Sequence, residues 1–377
     1  MIKPVLTGLD MLEAEAFKPL QGKRVGLLCN HTAINRKREH LLDLALAAGV
    51  QVVALFAPEH GFQGKLDQPV ASGVHEPTGL PIHSLYGNDK KPDPEVLAGL
   101  DAMVYDIADI GLRFYTYTTT MTHCLAACGE AGVPMWVLDR PNPIRGDVVE
   151  GPVLDKPFHA LSAWHPIPLR HGLTSAELAA WANVKYDLKA TLHTVPCANW
   201  KRSMWFQETG LPWINPSPNI RNLRQAVLYP AIGTLEACKL SVGRGTDMPF
   251  EVFGAPWADD LRLAEALNEA GVSSMSFVPM QFVPYEREYV GEVCRGVYVV
   301  GEDWDSMQPV TAAVQIALVL QRLWPEEFGA ERMWHLLGST AAVESIVALR
   351  PAEDIVAAWQ DEMQASAAEL REYWIYK

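Results

Sequence analysis

The chain has 377 residues, of which 49% are hydrophobic and 20% charged, and its 31 Lys and Arg against 45 Asp and Glu give a formal charge of −14. This balance excludes global disorder, and at ~100–200 residues per domain the length predicts two domains. The acidic balance argues against a nucleic-acid partner, and the lack of any apolar run of ~18 residues argues against a membrane span. We therefore expect neither a nucleic-acid nor a membrane partner.

The start of the chain and its cysteines bear on the cellular compartment. Residues 1–17 contain no continuous apolar core and no small-residue cleavage site, so they do not resemble a signal peptide. The six cysteines lack the spacings of a zinc ribbon or a redox pair, and we expect buried thiols. The sequence therefore predicts a cytoplasmic protein, or a periplasmic or extracellular one if its natural start has been trimmed.

The first 155 residues alternate short apolar runs with helical patterns. Strands are predicted at 24–29, 51–56, 80–86, 101–107 and 134–139. Helical patterns at 38–49 and 116–132 lie between them, and Asp93 before Pro94 predicts the start of another helix. Near-continuous apolar strands separated by helices are typical of an α/β fold, here a Rossmann-like, doubly wound, mostly parallel sheet.

Beyond residue 151 the alternation is less regular. The Pro-rich run 151–170 predicts a boundary, which divides the chain into domains at 1–155 and 156–377. In the second part, Thr174 and Glu177 have the spacing of a capping box. Strands are predicted at 191–196 and 296–301, helices at 310–324 and from about 330, and an irregular region at 197–222.

Polar side chains follow four of the predicted strands at the point where each strand ends. They are Asn30 and His31, Glu59 and His60, Asp106 and Asp109, and Asp139, Arg140 and Asn142. The carboxyl ends of parallel strands open onto one edge of a sheet, so we expect these side chains to share a pocket there. The alternative is that they cap loops and form turns, since Asp, Asn and Pro are turn residues in any case.

Glu59 lies on a sharp turn between Pro58 and His60, just after an apolar strand. A carboxyl group beside apolar walls suits a general acid, whereas a pairing with Arg113 or Arg140 would make it a structural ion pair. Arg113 can clamp a carboxylate, unless it packs into the core. His60 is either a catalytic group or a structural hydrogen-bonding residue.

Two further local patterns bear on ligand binding. Tyr115 can stack on a sugar face or pack into the core. The Gly residues on either side of Arg244 can form a loop that presents this side chain to an anion.

Several familiar signatures are absent from the sequence. Neither the dinucleotide-binding nor the P-loop glycine pattern occurs, and there is no G-x-S-x-G nucleophile elbow. Asp106 and Asp109 have no ordered ligand spacing around them, so we expect no metal. The prediction is an active site that works without a cofactor.

Long ordered motifs carry a resemblance to a known family. The strings LFAPEHGFQG, YDIADIGLRFYTYTTTM, VLDRPNPIRGDVVEGPVLD and YPAIGTLEACKLSVGRGTDMPFEVFGAPW resemble the NamZ-type exo-β-N-acetylmuramidases, a glycoside hydrolase family formerly catalogued as a domain of unknown function. The resemblance implies a Rossmann-like N-terminal domain, a smaller C-terminal α/β domain and an active cleft between them. It also implies release of N-acetylmuramic acid from the non-reducing end of peptidoglycan fragments, as in cell-wall recycling.

Matched residue by residue, the resemblance implies that Glu59 is the catalytic acid. The first-domain cleft positions that it implies are Asn30, His60, Asp106, Arg113, Tyr115, Asp139 and Arg140, and those of the second domain are Arg170, His171, Asn219, Glu236, Ser241, Arg244 and Thr246. The second catalytic group is Asp106, Asp139 or Glu236. An arginine among Arg113, Arg140 and Arg244 is expected to bind the lactyl carboxylate of muramic acid, and Cys29 and His31 depart from the family pattern around Asn30.

Two other functions fit the residue types. A two-lobed α/β protein with an aromatic cleft can be a solute-binding protein that closes on a muropeptide without cleaving it. A metal-dependent hydrolase of cell-wall fragments can be built from Asp106, Asp109 and His60. The oligomeric state and the stereochemistry of cleavage stay open at the level of sequence.

Overall fold

Two β-sheets of unequal size organise the chain, and the computed structural model describes its residues 3–64, 71–86, 91–155 and 160–377. The strands are β1 (Arg24–Cys29), β2 (Gln51–Ala57), β3 (Gly73–His75), β4 (Leu80–Ser84), β5 (Ala102–Asp106), β6 (Met135–Leu138), β7 (Glu150–Val153), β8 (Pro168–Arg170), β9 (Leu192–Val195), β10 (Val252–Ala255), β11 (Met275–Phe282) and β12 (Cys294–Gly301). The α-helices are α1 (Gly8–Ala14), α2 (Leu41–Ala47), α3 (Pro94–Leu97), α4 (Thr116–Ala131), α5 (Ser175–Lys185), α6 (Leu223–Ile232), α7 (Asp260–Glu269), α8 (Pro309–Leu323), α9 (Pro325–Phe328), α10 (Trp334–Leu337), α11 (Thr340–Val347), α12 (Ala352–Ala358) and α13 (Gln360–Arg371).

The larger sheet has the strand order β3-β4-β2-β1-β5-β6-β9. Its strands pair in parallel, except that β3 runs antiparallel to β4. The central strand β1 is buried at every position after Arg24, because packing covers both faces of the sheet. These features confirm the predicted Rossmann-like, doubly wound, mostly parallel fold.

Local sequence signals fix the ends of several elements. Asp93 caps α3 by accepting a hydrogen bond from the Glu95 backbone N–H at 2.8 Å, as predicted from Pro94. The helix expected from residue 38 begins later, at Leu41, because His40 is its N-cap and accepts from the Leu42 N–H at 3.2 Å. The predicted capping box of α5 is also present.

A smaller antiparallel sheet, ordered β10-β12-β11, forms the centre of the second lobe. Its apolar side chains share one continuous core with one face of the larger sheet, since Tyr105 and Val297 belong to the same buried cluster. Strand β9 pairs with β6 and so extends the larger sheet beyond the domain boundary predicted near residue 155. That boundary lies next to residues 156–159, outside the described part of the chain, and its position stays a prediction.

The end of the chain folds back onto the first lobe. Arg202 lies over the Trp374 ring at 3.7 Å and pairs with the buried Glu177 at 2.6 Å. Glu177 also accepts a hydrogen bond from the Ile375 N–H at 2.8 Å. The C-terminal segment is thereby anchored beside the start of α5.

The cysteines and the lengths of the helices bear on two expectations from the sequence. The six cysteines are buried and unlinked, which confirms the expected buried thiols. Within the described ranges, no helix has both the length and the apolar character that a membrane crossing needs.

Candidate active site

A cleft of about 360 Å³ lies between the two lobes, beside the turn after β2 and the start of α4. The first lobe contributes Glu59, His60, Tyr86, Phe114, Tyr115, Thr116, Tyr117 and Ser162, and the second contributes Ser217, Asn219, Tyr229, Glu236, Ala237, Arg244, Phe250, Arg287, His335 and Leu336. The lining therefore combines carboxylates, cations, hydroxyls and aromatic rings. Six sequence-predicted residues meet here, namely Glu59, His60, Tyr115, Asn219, Glu236 and Arg244.

Glu59 enters the cleft from the turn that follows β2. The Gly61 N–H donates to the Pro58 carbonyl at 3.0 Å, and His60 takes up a left-handed backbone conformation with φ of 67°. The Glu59 Oε2 atom accepts a hydrogen bond of 2.5 Å from the Thr116 hydroxyl. Because Thr116 is the first residue of α4, the turn and the helix start together orient this carboxyl group.

Tyr115 and Tyr117 form the cleft wall beside Glu59. Their rings pack edge to face with centroids 4.9 Å apart, and the Tyr117 hydroxyl donates to the Pro216 carbonyl at 2.7 Å. Burial raises the pKa of both phenols well above the usual range. Both hydroxyls therefore stay protonated and suit hydrogen bonding rather than proton abstraction.

Glu236 and Arg244 form an ion pair on the opposite wall, with both side chains partly exposed. With its amide oxygen turned toward Arg244, Asn219 accepts from Nε and Nη2, each at 3.3 Å. Arg244 thus projects into the cleft between an anionic and an amide partner. The loop around it does present the side chain to an anion, and in this structure the anion is Glu236.

Glycine conformation and two short side chains shape the loop that carries Arg244. Gly243 and Gly245 have φ of 82° and 73°, a left-handed region that favours glycine. The Ser241 hydroxyl accepts from the Gly243 N–H at 3.2 Å, and the Thr246 hydroxyl donates to the Gly243 carbonyl at 2.6 Å. Ser241 and Thr246 therefore support the Arg244 loop and do not line the cleft.

Asp106 and Arg140 were expected at the shared pocket, but they pair with each other outside the cleft lining. The Asp106 side chain is fully buried and accepts from both Nε and Nη2 of Arg140. Arg140 also donates to the Ile34 carbonyl at 3.0 Å. Asn30 is buried as well, and its amide oxygen accepts from the Thr32 N–H and hydroxyl at 2.9 and 2.6 Å. Arg140 thus links the loops after β1, β5 and β6, whereas Asn30 orders its own loop.

Asp139 likewise lies away from the cleft, contrary to the position expected from the sequence. It is fully buried, and its two oxygens accept from the Ala176 N–H at 3.0 Å and the Tyr376 hydroxyl at 2.5 Å. Burial raises its pKa to about 7. The end of β6 thus faces the start of α5 and the C-terminal segment, so Asp139 anchors the chain end.

This burial predicts a pH dependence of stability. In the folded protein Asp139 binds its proton near pH 7, whereas unfolded Asp binds it near 3.9, so the folded state gains stability as pH falls from 8 to 5. Asp139→Asn removes this titration, and the destabilisation it causes should be on the order of 2 kcal/mol larger at pH 5 than at pH 8. Urea unfolding of both proteins at the two pH values measures the difference. A difference that does not change with pH would contradict the buried titration.

Arg113, Arg170 and His171 are buried structural groups outside the cleft lining. Arg113 donates to the carbonyls of Pro152, Ile167, Leu336 and Leu337 at 2.8–3.1 Å. Arg170 donates to the Ile144 carbonyl, and the Nδ1 atom of His171 accepts from the Leu173 N–H at 3.1 Å. Burial lowers the pKa of Arg113 to about 9 and that of His171 to about 3. None of the three is positioned to meet a ligand in the cleft.

The proposed metal-binding trio is also separated. Asp106 pairs with Arg140, His60 lines the cleft, and Asp109 lines a smaller cavity beside it. Burial raises the pKa of Asp109 to about 7, and one of its oxygens accepts from the Gly111 N–H at 2.7 Å. These residues do not form a common site.

Several cleft residues were missed by sequence reasoning. Thr116 had a usable signal, since it begins a predicted helix just after the Tyr115 position. Tyr229 and Phe250 also had a signal, since both lie in the string at 229–257 that carries the family resemblance, whereas Arg287 and His335 come from two further segments of the second lobe outside the quoted motifs. Only the packing of that lobe brings them to one wall.

Comparison with known proteins gives consistent matches along the chain. The family description "Exo-beta-N-acetylmuramidase NamZ, N-terminal" matches residues 25–224, and its C-terminal counterpart matches residues 227–376. The peptidoglycan beta-N-acetylmuramidase NamZ of Bacillus subtilis (strain 168) is 36% identical over 378 residues, covering 99% of this chain and 91% of that protein. Two crystal structures of DUF1343 family proteins from Bacteroides fragilis NCTC 9343 superpose with TM-scores of 0.92 and 0.82, at 33% and 29% identity. Both matches cover 100% of this chain, and they cover 100% and 99% of the two solved chains.

Proposed function

This chain belongs to the NamZ family of exo-beta-N-acetylmuramidases, and from that premise we propose that it releases terminal N-acetylmuramic acid from the non-reducing ends of peptidoglycan fragments. It is a glycoside hydrolase and not a sugar-binding protein without catalytic activity. The proposed biological role is turnover and recycling of the cell wall. The observation that carries the proposal is a single cleft that collects Glu59, Glu236 and Arg244.

The size of the cleft supports an exo-acting enzyme. At about 360 Å³ it lies near the lower end of the ~300–1,000 Å³ typical of ligand pockets. A pocket of this size suits one terminal sugar rather than a long stretch of glycan. The partly exposed rings of Tyr86 and Tyr229 in the lining supply flat apolar surface for the sugar, whereas Tyr115 and Tyr117 are largely buried.

Glycoside cleavage usually requires two carboxyl groups. We assign the general acid/base to Glu59, whose orientation is set by the Thr116 hydroxyl at 2.5 Å. In this role it protonates the glycosidic oxygen as the bond to the anomeric carbon breaks. Glu236 is the proposed second group, base or nucleophile, because it lies in the same cleft and its pairing with Arg244 suits a group that stays anionic.

Arg244 is the proposed ligand of the substrate's lactyl carboxylate. Of the three arginines considered from the sequence, it is the one in the cleft lining, since Arg113 and Arg140 bind buried carbonyls and Asp106. A guanidinium that binds a carboxylate distinguishes muramic acid from N-acetylglucosamine, which lacks this group. Although the whole chain has a negative net charge, Arg244 thus supplies a positive charge inside the cleft.

Replacing Arg244 with Gln tests this assignment. We expect the kcat/KM ratio of a muramic acid glycoside to the matching N-acetylglucosamine glycoside to fall about 10- to 100-fold, because a charged hydrogen bond is lost. Arg322→Gln, which changes an exposed arginine at the end of α8 outside the cleft lining, serves as the control. An unchanged ratio, whatever the overall activity, would remove Arg244 from carboxylate recognition.

The overall proposal is tested by product analysis. The purified protein is incubated with a glycan that ends in N-acetylmuramic acid, and separately with one that ends in N-acetylglucosamine. Free N-acetylmuramic acid should accumulate from the first, one residue per chain end, and no free sugar from the second. Release of internal fragments from longer glycans would overturn the exo assignment.

A further inference from the structure

Exposed apolar side chains are concentrated in one segment at the edge of the cleft. Residues 283–293, here called the rim loop, connect β11 to β12 and carry four of them, Val283, Tyr285, Val290 and Val293, which are 50–58% exposed. Large apolar side chains that stay exposed close together point to a binding surface, whereas single ones are normal. The location of this cluster is therefore informative.

The rim loop is held in place rather than loosely attached. The Tyr285 N–H donates to the Gly245 carbonyl at 2.8 Å, and the Tyr289 hydroxyl donates to the Lys239 carbonyl at 2.9 Å. Inside the loop, the Gly291 N–H donates to the Pro284 carbonyl at 2.9 Å. A Cβ atom on Gly245 would lie 2.5 Å from the Glu286 nitrogen, so the loop and the Arg244 segment approach as closely as glycine allows.

The surface of the rim loop is continuous with the cleft. Arg287 lines the cleft, and its left-handed backbone conformation, with φ of 68°, is unusual for a residue with a side chain. Two residues earlier in the chain, the Tyr285 ring is 58% exposed, and its hydroxyl accepts from Arg221 at 3.4 Å. One loop thus contributes a cation to the cleft and an aromatic ring to the surface outside it.

The charge of the rim loop indicates what kind of group it can bind. Glu286, Glu288 and Glu292 are exposed, against the single cation of Arg287 within the loop. This surface repels carboxylates, so an acidic peptide does not fit it. A neutral sugar fits better, because the apolar face of a sugar ring can pack on a tyrosine ring while its hydroxyls reach the neighbouring polar groups.

We propose that the rim loop binds the sugar on the leaving-group side of the cleaved bond, with Tyr285 as its stacking platform. The inference rests on the proposed function, since an enzyme that holds the terminal sugar in the cleft must let the rest of the glycan leave over the edge. Tyr285 is then a specificity-determining residue for the length of the substrate and takes no part in bond cleavage.

Two substrates separate this role from catalysis. One is a muramic acid–N-acetylglucosamine disaccharide, and the other is N-acetylmuramyl fluoride, whose leaving group is a single atom. We expect Tyr285→Ala to lower kcat/KM about tenfold on the disaccharide, mainly through KM, and to leave the rate on the fluoride unchanged. Tyr285→Phe keeps the ring and should match the unmodified protein on both substrates. Leu261→Ala, at an exposed apolar residue of α7, is the matched control.

Three results would overturn the inference. The first is no loss on either substrate, and the second is an equal loss on both. The third is a loss on a peptide-carrying muropeptide, assayed beside these two substrates, with no loss on the disaccharide, which would make the peptide the occupant. If the unmodified protein cleaves neither substrate, it is the proposed function that fails, so the two failures are distinguishable.

Discussion

Replacing Glu59 with Gln is expected to lower kcat on a chromogenic muramic acid glycoside by about 10²-fold or more, the usual scale for an acid–base group. Gln has nearly the same size and can still accept the Thr116 hydrogen bond through its carbonyl oxygen. It cannot supply a proton to the leaving oxygen. The measurement is steady-state turnover, with the unfolding midpoint recorded for each variant to establish that it folds.

Two controls define the Glu59 result. Glu265→Gln changes an exposed glutamate of α7 and should leave turnover unchanged. Thr116→Val removes the hydroxyl that orients Glu59, so we expect a smaller loss, seen in kcat more than in KM. Near-normal turnover of the Glu59→Gln protein would remove this residue from the mechanism.

Arg113→Met is expected to give the largest loss of stability, at least about 3 kcal/mol of the free energy of unfolding. The guanidinium is buried and donates to four carbonyls, two of them at the end of α10. Methionine fills part of the volume but leaves these carbonyl groups without a donor, and a buried unpaired polar group is costly. Urea unfolding at one pH measures the difference.

The control for Arg113 is another arginine with several hydrogen bonds in an exposed setting. Arg24 binds Asp101 through its backbone and side chain at 2.8–3.1 Å, but water reaches both groups, so Arg24→Met should change stability little. Arg113→Lys keeps the charge and some donors and should fall between the two. Equal effects of Arg113→Met and Arg24→Met would contradict the argument from burial.

Arg113 also bears on the cleft. Its donors hold the Leu336 carbonyl, and Leu336 with His335 forms part of the cleft wall. The residue therefore supports a wall that the substrate is proposed to contact, without lining it. A carboxylate clamp and a carbonyl clamp use the same donors, so the residue type in the sequence does not distinguish them.

The sequence by itself determined the Rossmann-like type of the larger sheet, five of its strands (β1, β2, β4, β5 and β6) and the position of Glu59 at a strand end, but not the edge strand β3 or the pairing of β9 with β6. Strand periodicity, helix caps and turn residues are local signals, because each depends on neighbours within a few positions. The buried run of β1 and the capping box of α5 are examples, and both occur where the sequence predicts them.

Only the tertiary structure decided which polar strand ends reach the cleft. Asp106, Asp139 and Glu59 all lie at the ends of strands of the same sheet. Asp106 pairs with Arg140 and Asp139 binds the Tyr376 hydroxyl, so only Glu59 reaches the cleft. Their partners lie 34, 237 and 57 residues away along the chain, with Thr116 as the partner of Glu59. Contacts at such separations arise from packing of the whole chain, so no local pattern could distinguish a buried ion pair from a catalytic carboxylate.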